Sequence, residues 1–168
     1  RLLALSALAR LGDGEAVPIA KVWVNESERG PRLAALRVLA DLAPDDCTLP
    51  LAKALGEPSL RDEALLLAPT VADARLLPAL RRLASDKDLE VRSRAIVAIG
   101  KMIDEEAPRA LEPLLGEPAP ALAAAAALAS SPAPNAAAVL TRALRSPPRR
   151  VAALHAALAR KLARREDV

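Results

Sequence analysis

The stretch LLPALRRLASDKDLEVRSRAIVAIG, residues 76–100, reads as one helix, a polar turn and a second helix. Asp73 stands just ahead of the first helix, and residues 85–88 punctuate the pair with Ser, Asp, Lys and Asp. In the second helix Val91, Ala95, Ile99 and Met102 recur at helical spacing. Arg92, in its first turn, is one rung of a ladder. Arginine stands at Arg1, Arg32, Arg61, Arg92 and Arg150, with Ala121 in the missing place, at intervals of 31, 29, 31, 29 and 29 residues. Three residues after each rung comes alanine (Ala4, Ala35, Ala64, Ala95, Ala124, Ala153). Four further on comes a small or aliphatic residue (Leu8, Leu39, Ala68, Ile99, Leu128, Ala157). Self-similarity at such a period marks an array of supersecondary units, each of which buries its apolar face only against its neighbours.

Composition agrees. The 168 residues are 52% hydrophobic, yet they include no Phe, no Tyr and a single Trp23. Leucine and alanine are the strongest helix formers, and the aromatic residues that strands prefer are missing, so the class is all-α. The phase of the ladder predicts a half-repeat helix at 1–11, then pairs at 14–24 and 31–42, 46–55 and 59–71, 74–84 and 89–102, 105–115 and 119–129, and 135–145 and 148–164. The corresponding repeats are 1–13 (partial), 14–44, 45–72, 73–103, 104–133 and 134–168, read together as one domain. A start at Arg1 inside a repeat suggests a fragment of a longer solenoid. Asp13, Asp45, Asp73, Asp104 and Asn135 are placed to cap the first helices, and Pro18, Pro50 and Pro78 to bend them.

The segment 76–100 resembles a HEAT repeat of the short bacterial kind found in phycobilisome-lyase-like proteins. Residues 1–13 (RLLALSALARLGD) and 32–42 (RLAALRVLADL) match the second half of the same pattern. The resemblance weakens where Glu57-Pro58 and Glu117-Pro118 replace the turn aspartates and where Ala121 replaces arginine. It implies a right-handed α-solenoid of about five and a half repeats, with first helices on a convex side and second helices lining a concave one.

The sequence offers little chemistry. One histidine, His155, and one cysteine, Cys47, leave no material for a hydrolytic triad, a zinc cluster or an internal disulfide. The six glycines fall in turns or at helix ends, so no phosphate loop is present. We therefore assign no catalytic residue, metal or cofactor. Cys47 is expected to be structural, and Trp23 to fill the core. No segment approaches the roughly 20 apolar residues of a membrane span, no signal-peptide pattern is present, and a cytoplasmic setting is expected.

The net charge of +3 hides an asymmetry, with a balance of −3 over residues 1–141 and of +6 over 142–168. Arg142, Arg145, Arg149, Arg150, Arg160, Lys161, Arg164 and Arg165 form a basic cluster that is either a solubilising end or a patch for an anionic partner. The ladder arginines themselves are expected to tie repeats together through turn acids or helix ends. Helical phase exposes a different set on the second helices: Arg37, Asp41, Glu63, Leu66, Arg94, Val97, Lys101 and His155. These make the expected protein-binding positions of a non-catalytic scaffold. Two alternatives come with the resemblance. One is an enzyme accessory subunit similar to phycobilin lyase subunits. The other is a nucleic-acid module, which Asp41 and Glu63 on the same face disfavour. At Ala121 a looser join between repeats is expected.

Overall fold

The computed structural model describes the backbone of residues 14–166 and the side chains of residues 14–160. The half-repeat at 1–13 lies outside the described residues. Those described are all-helical. In chain order the helices are α1 (Ala16–Trp23), α2 (Arg29–Leu42), α3 (Pro44–Gly56) and α4 (Arg61–Val71). A 3₁₀ turn (Ala74–Leu76) runs into α5 (Leu77–Leu83), followed by α6 (Leu89–Gly100) and α7 (Glu106–Leu111) with a 3₁₀ turn at Pro113–Gly116. Last come α8 (Ala121–Ala129), α9 (Ala136–Leu144) and α10 (Arg150–Glu166). Each predicted pair is present with ends within about two residues, apart from the break in the 105–115 helix.

The chain divides into two compact units, one ending at Ala79 and the other beginning at Leu80. In the first unit α1 packs on α2 and α3 on α4, and the second helices α2 and α4 lie side by side. In the second unit α6 packs on α7 and α8, and α8 and α9 pack on α10. The alanine column forms the seam within each unit. Ala35 and Ala64 in one, and Ala95, Ala124 and Ala153 in the other, are all at 0% exposure. Around that seam Leu36, Leu39, Leu51, Leu55, Leu60 and Leu65 fill the first unit, and Leu80, Ile96, Ile99, Met102 and Leu111 the second. Burying such side chains is worth about 1.5–3 kcal/mol each.

Small residues let helices approach closely. Gly100 shows how closely: a methyl group built there would lie 2.7 Å from Cβ of Ala127 on α8. The join at the missing rung is therefore tight, not loose. Alanine in place of larger residues lets α8 settle against α6, with Ala124, Ala125, Ala127 and Leu128 buried.

The expected caps divide by position. Asp73 accepts from the backbone N–H of Arg75 at 2.7 Å, and Asp104 from that of Glu106 at 2.7 Å. Asp45 instead lies inside the first turn of α3, because Pro44, whose missing N–H costs nothing at a helix start, begins that helix earlier. Asn135 does not cap α9 with its side chain; its amide donates to the Glu105 carbonyl at 2.8 Å, tying α9 to the start of α7. Asp88 supplies an N-cap for α6, accepting from the N–H groups of Glu90 (2.8 Å) and Val91 (3.4 Å).

The prolines act less uniformly than their register suggests. Pro50 is interior to α3, whereas Pro18 falls in the first turn of α1, where its N–H would be unpaired anyway. Pro78 sits where the 3₁₀ turn passes into α5. Pro113 divides the helix expected at 105–115 into α7 and a 3₁₀ turn. Trp23 is only half-buried, unlike its core counterparts Leu55 and Leu83.

Candidate protein-interaction surface

Among the described ladder arginines, Arg32, Arg92 and Arg150 hydrogen-bond within the fold. Arg32 grips Glu57 through two hydrogen bonds of 2.8 and 2.7 Å, joining α2 to the turn before α4. Arg29 reinforces that join by donating to the Ser59 carbonyl at 2.7 Å. The bidentate contact raises the Arg32 pKa and lowers that of Glu57. Arg92 donates to the Asp86 carbonyl at 2.8 Å, and Arg150 to the Leu144 carbonyl at 3.2 Å. In both cases the arginine reaches a carbonyl six residues earlier, in or at the edge of the turn before its own helix. These side chains hold turns.

The residue five places after each described rung position faces solvent. In the first unit these positions are Arg37 and Leu66; in the second they are Val97, Ala126 and His155, and all five are exposed. The periodicity explains it: at 100° per residue the fifth place points away from both the partner helix and the alanine seam. Leu66 is 56% and Val97 49% exposed, large values for aliphatic side chains in the middle of packed helices. Asp41 and Lys101 are also exposed, whereas Glu63 and Arg94 are half-buried. Arg37 donates to Glu63 at 2.8 Å across α2 and α4, and Arg94 pairs with Glu90 at 2.6 Å within α6. Each unit thus presents an apolar residue flanked by charge.

In the second unit a groove of about 250 Å³ runs beside His155, lined by Glu117, Pro118, Leu122 and Val151. Two other grooves separate successive first helices. One, of about 520 Å³, includes Val24, Leu49 and Lys53. The other, of about 460 Å³, includes Arg81, Arg109 and Leu114.

Among the described residues of the basic cluster, Arg142, Arg149, Arg150 and Arg160 are engaged with the fold. Arg142 and Arg149 converge on the carboxylate of Glu112, which is 7% exposed. Arg142 Nε donates to both carboxylate oxygens at 3.1 Å, and Arg149 Nη1 donates to Oε1 at 3.1 Å. The Arg142 hydrogen bond holds the Glu112 carboxyl below its ordinary pKa against the opposing effect of burial. Arg160 donates to the carbonyls of Leu128, Ala129 and Ser131, closing the C-terminal end of α8. Arg145 is exposed, and the side chains of Lys161, Arg164 and Arg165 lie outside the described residues.

Glu112 is the residue that sequence reasoning missed. It stands nine residues before Ala121, the slot that holds Trp23 before Arg32 and Leu83 before Arg92. An acid in an apolar slot, in the repeat that lacks its rung, was the available signal.

Cys47 is buried, with its thiol 3.5 Å from the Leu36 carbonyl; burial, and secondarily the Asp41 charge, push its pKa up to about 12. Such a thiol is protonated at neutral pH and is no nucleophile. Asp73 and Arg75 form a local pair at 2.6 Å beside the buried Thr48, and the Arg75 contact brings the Asp73 pKa down to about 2. Among the described residues no group of three His, Cys, Asp or Glu could hold a metal ion, and no helix is long and apolar enough to cross a membrane.

The model of the family described as HEAT repeats matches residues 48–130. Among solved structures, the crystal structure of an engineered protein is similar, with a TM-score of 0.60 and 19% identity, over 95% of this chain and 53% of that one. This chain therefore spans about half the length of that structure, and at such identity the likeness speaks to fold alone. No curated protein matches. The ladder, the helix pairs, the alanine seam and the family match lead to one assignment: residues 48–130 carry HEAT repeats, within a chain whose described residues are all-helical.

Proposed function

We propose that the chain is a non-catalytic scaffold that binds a protein partner through the exposed side of its second helices. The observation that carries this reading is the exposed fifth-place column: Arg37 and Leu66 in one unit, Val97 and His155 in the other. A fold that buries its alanine seam completely has no packing reason to leave Leu66 and Val97 in water. Aliphatic residues ringed by charge suit a polar interface of moderate affinity. The alternation of sign, with Asp41 and Glu63 near Arg37, fits a protein surface better than the uniform negative charge of a nucleic acid. Protein–protein scaffolding is also the usual work of HEAT repeats, which supports the reading without naming a partner.

The test is affinity capture of partners by the intact chain and by a Leu66→Glu/Val97→Glu variant, compared at equal thermal stability. Both substitutions fall on exposed positions, so melting should be unchanged while the captured protein is lost. Retention of the same protein by the variant would refute these exposed positions as binding sites.

A further inference from the structure

The place four residues before each described rung position holds an acid in every repeat except the last. Glu28, Glu57, Asp88 and Glu117 stand there, and then Ser146. In the four acidic cases the carbonyl of this residue accepts from the backbone N–H of the rung position, at 3.4, 2.8, 3.0 and 3.2 Å, so the acid stands at the entry to a second helix. Ser146 keeps that station, its carbonyl accepting from the Arg149 N–H at 3.0 Å just ahead of α10. Negative charge at a helix start is favoured by the helix dipole. Two of the acids also make specific contacts: Glu57 receives Arg32, and Asp88 caps α6. The place stays open to water although a further helix pair follows each of these acids. Glu28, Asp88 and Glu117 are exposed, and Glu57 and Ser146 are half-buried.

At Ser146 the acid is missing where positive charge is densest. Arg142, Arg145, Arg149 and Arg150 all lie within four residues of it. Arg142 and Arg149 hold Glu112. Among the described residues, exposed Arg145 has no ion pair, and Arg150 reaches a carbonyl, that of Leu144, rather than an acid. The Ser146 hydroxyl has no hydrogen-bond partner among those residues, unlike the hydroxyls of Ser130, Ser131 and Thr141. Pro147 follows directly, which disfavours helix at Ser146, and both Pro147 and Pro148 are exposed. A serine followed by proline, with arginine three places on, is the pattern that a proline-directed kinase of basic preference reads.

We propose that Ser146 is a phosphorylation site for a proline-directed serine/threonine kinase, and that the phosphate supplies the acid this repeat lacks. In the transfer Ser146 Oγ attacks the γ-phosphorus of ATP. The Oγ–P bond forms as the bond from that phosphorus to the β-phosphate oxygen breaks, the hydroxyl proton passes to the kinase's catalytic carboxylate, and ADP leaves. The product carries about −1.5 to −2 charge at neutral pH and three acceptor oxygens, for which Arg145 and Arg150 are the donors at hand. The site is independent of the fifth-place column and stands whether or not that column binds a partner.

The chain carries its own control. Its other Ser-Pro pair, Ser131-Pro132, is closed: Ser131 is 3% exposed and its hydroxyl accepts from the Ala133 N–H at 3.3 Å. The folded full chain is incubated with a cyclin-dependent kinase and ATP, and the phosphate is located by mass spectrometry of its peptides. Ser146 should be modified and Ser131 not. Ser146→Ala and Pro147→Ala should each abolish incorporation, with circular dichroism matching the parent. Site mapping on the parent chain keeps the result independent of how the variants fold. The phosphorylated chain should melt about 2–4 °C above the unmodified one at low salt, with the gain fading as salt screens the exposed charges. An unmodified Ser146, or phosphate on Ser131 in its place, would overturn the site. Full incorporation by Pro147→Ala would overturn the class of kinase, and modification with melting unchanged or lowered would overturn the phosphate as the missing acid.

Discussion

Gly100 is where the array is least tolerant. A side chain there would meet Ala127 at 2.7 Å, so Gly100→Ala should destabilise by about 1–3 kcal/mol, despite the gain in helix propensity, because α6 and α8 must move apart. Chemical denaturation checks this, and unchanged stability would mean the helices are not in this contact. Ala72 gives the opposite case. It closes α4 at φ 47°, in the left-handed region that glycine occupies freely, so Ala72→Gly should stabilise by about 0.5–1 kcal/mol in the same assay. Asp73 sets a pH dependence. Its folded pKa of about 2 lies below the ordinary 3.8, so its contribution is complete above about pH 4 and is lost as pH falls through 2. Asp73→Asn should flatten the acid limb of the stability curve, and an unaltered limb would contradict the Arg75 pairing. At this scale the sequence was partly legible. Asp73, Asp104 and the ladder were readable as local signals, whereas the partners of Glu112 lie 30 and 37 residues away and no periodicity names them.

Elements were read more reliably than their contacts. A helix of this array is specified by its own caps and by the spacing of alanine and leucine, all within one turn or two. The bends were not, because the effect of a proline depends on where a helix starts: Pro44 begins α3, and Pro113 splits the helix after α7. The alanine seam is the element-scale statement most open to test. Ala95 is at 0% exposure, and Ala95→Glu would bring an unpaired carboxylate into a seam with no donor prepared for it. The expected loss exceeds about 3 kcal/mol. A soluble, fully helical variant with unchanged melting would refute the register from which every column here is counted.

At the scale of the molecule, burial and exposure divide by column. The third place after the rung is sealed in both units, and the fifth is open in both. The proposed scaffold role needs no reacting groups, and the one cysteine, Cys47, is buried with its pKa pushed up to about 12. The exposed side chains of the second helices were legible because helical phase alone fixes which place points outward. What they bind was not, since partner chemistry leaves no period in the sequence. Photo-crosslinking addresses that most directly, with benzoylphenylalanine placed in turn at Leu66, Val97 and, as a control on a first helix, Leu49. The two second-helix positions should crosslink a common protein partner while Leu49, more exposed than either at 64%, gives none. Capture of that partner from Leu49, with Leu66 and Val97 silent, would contradict the account.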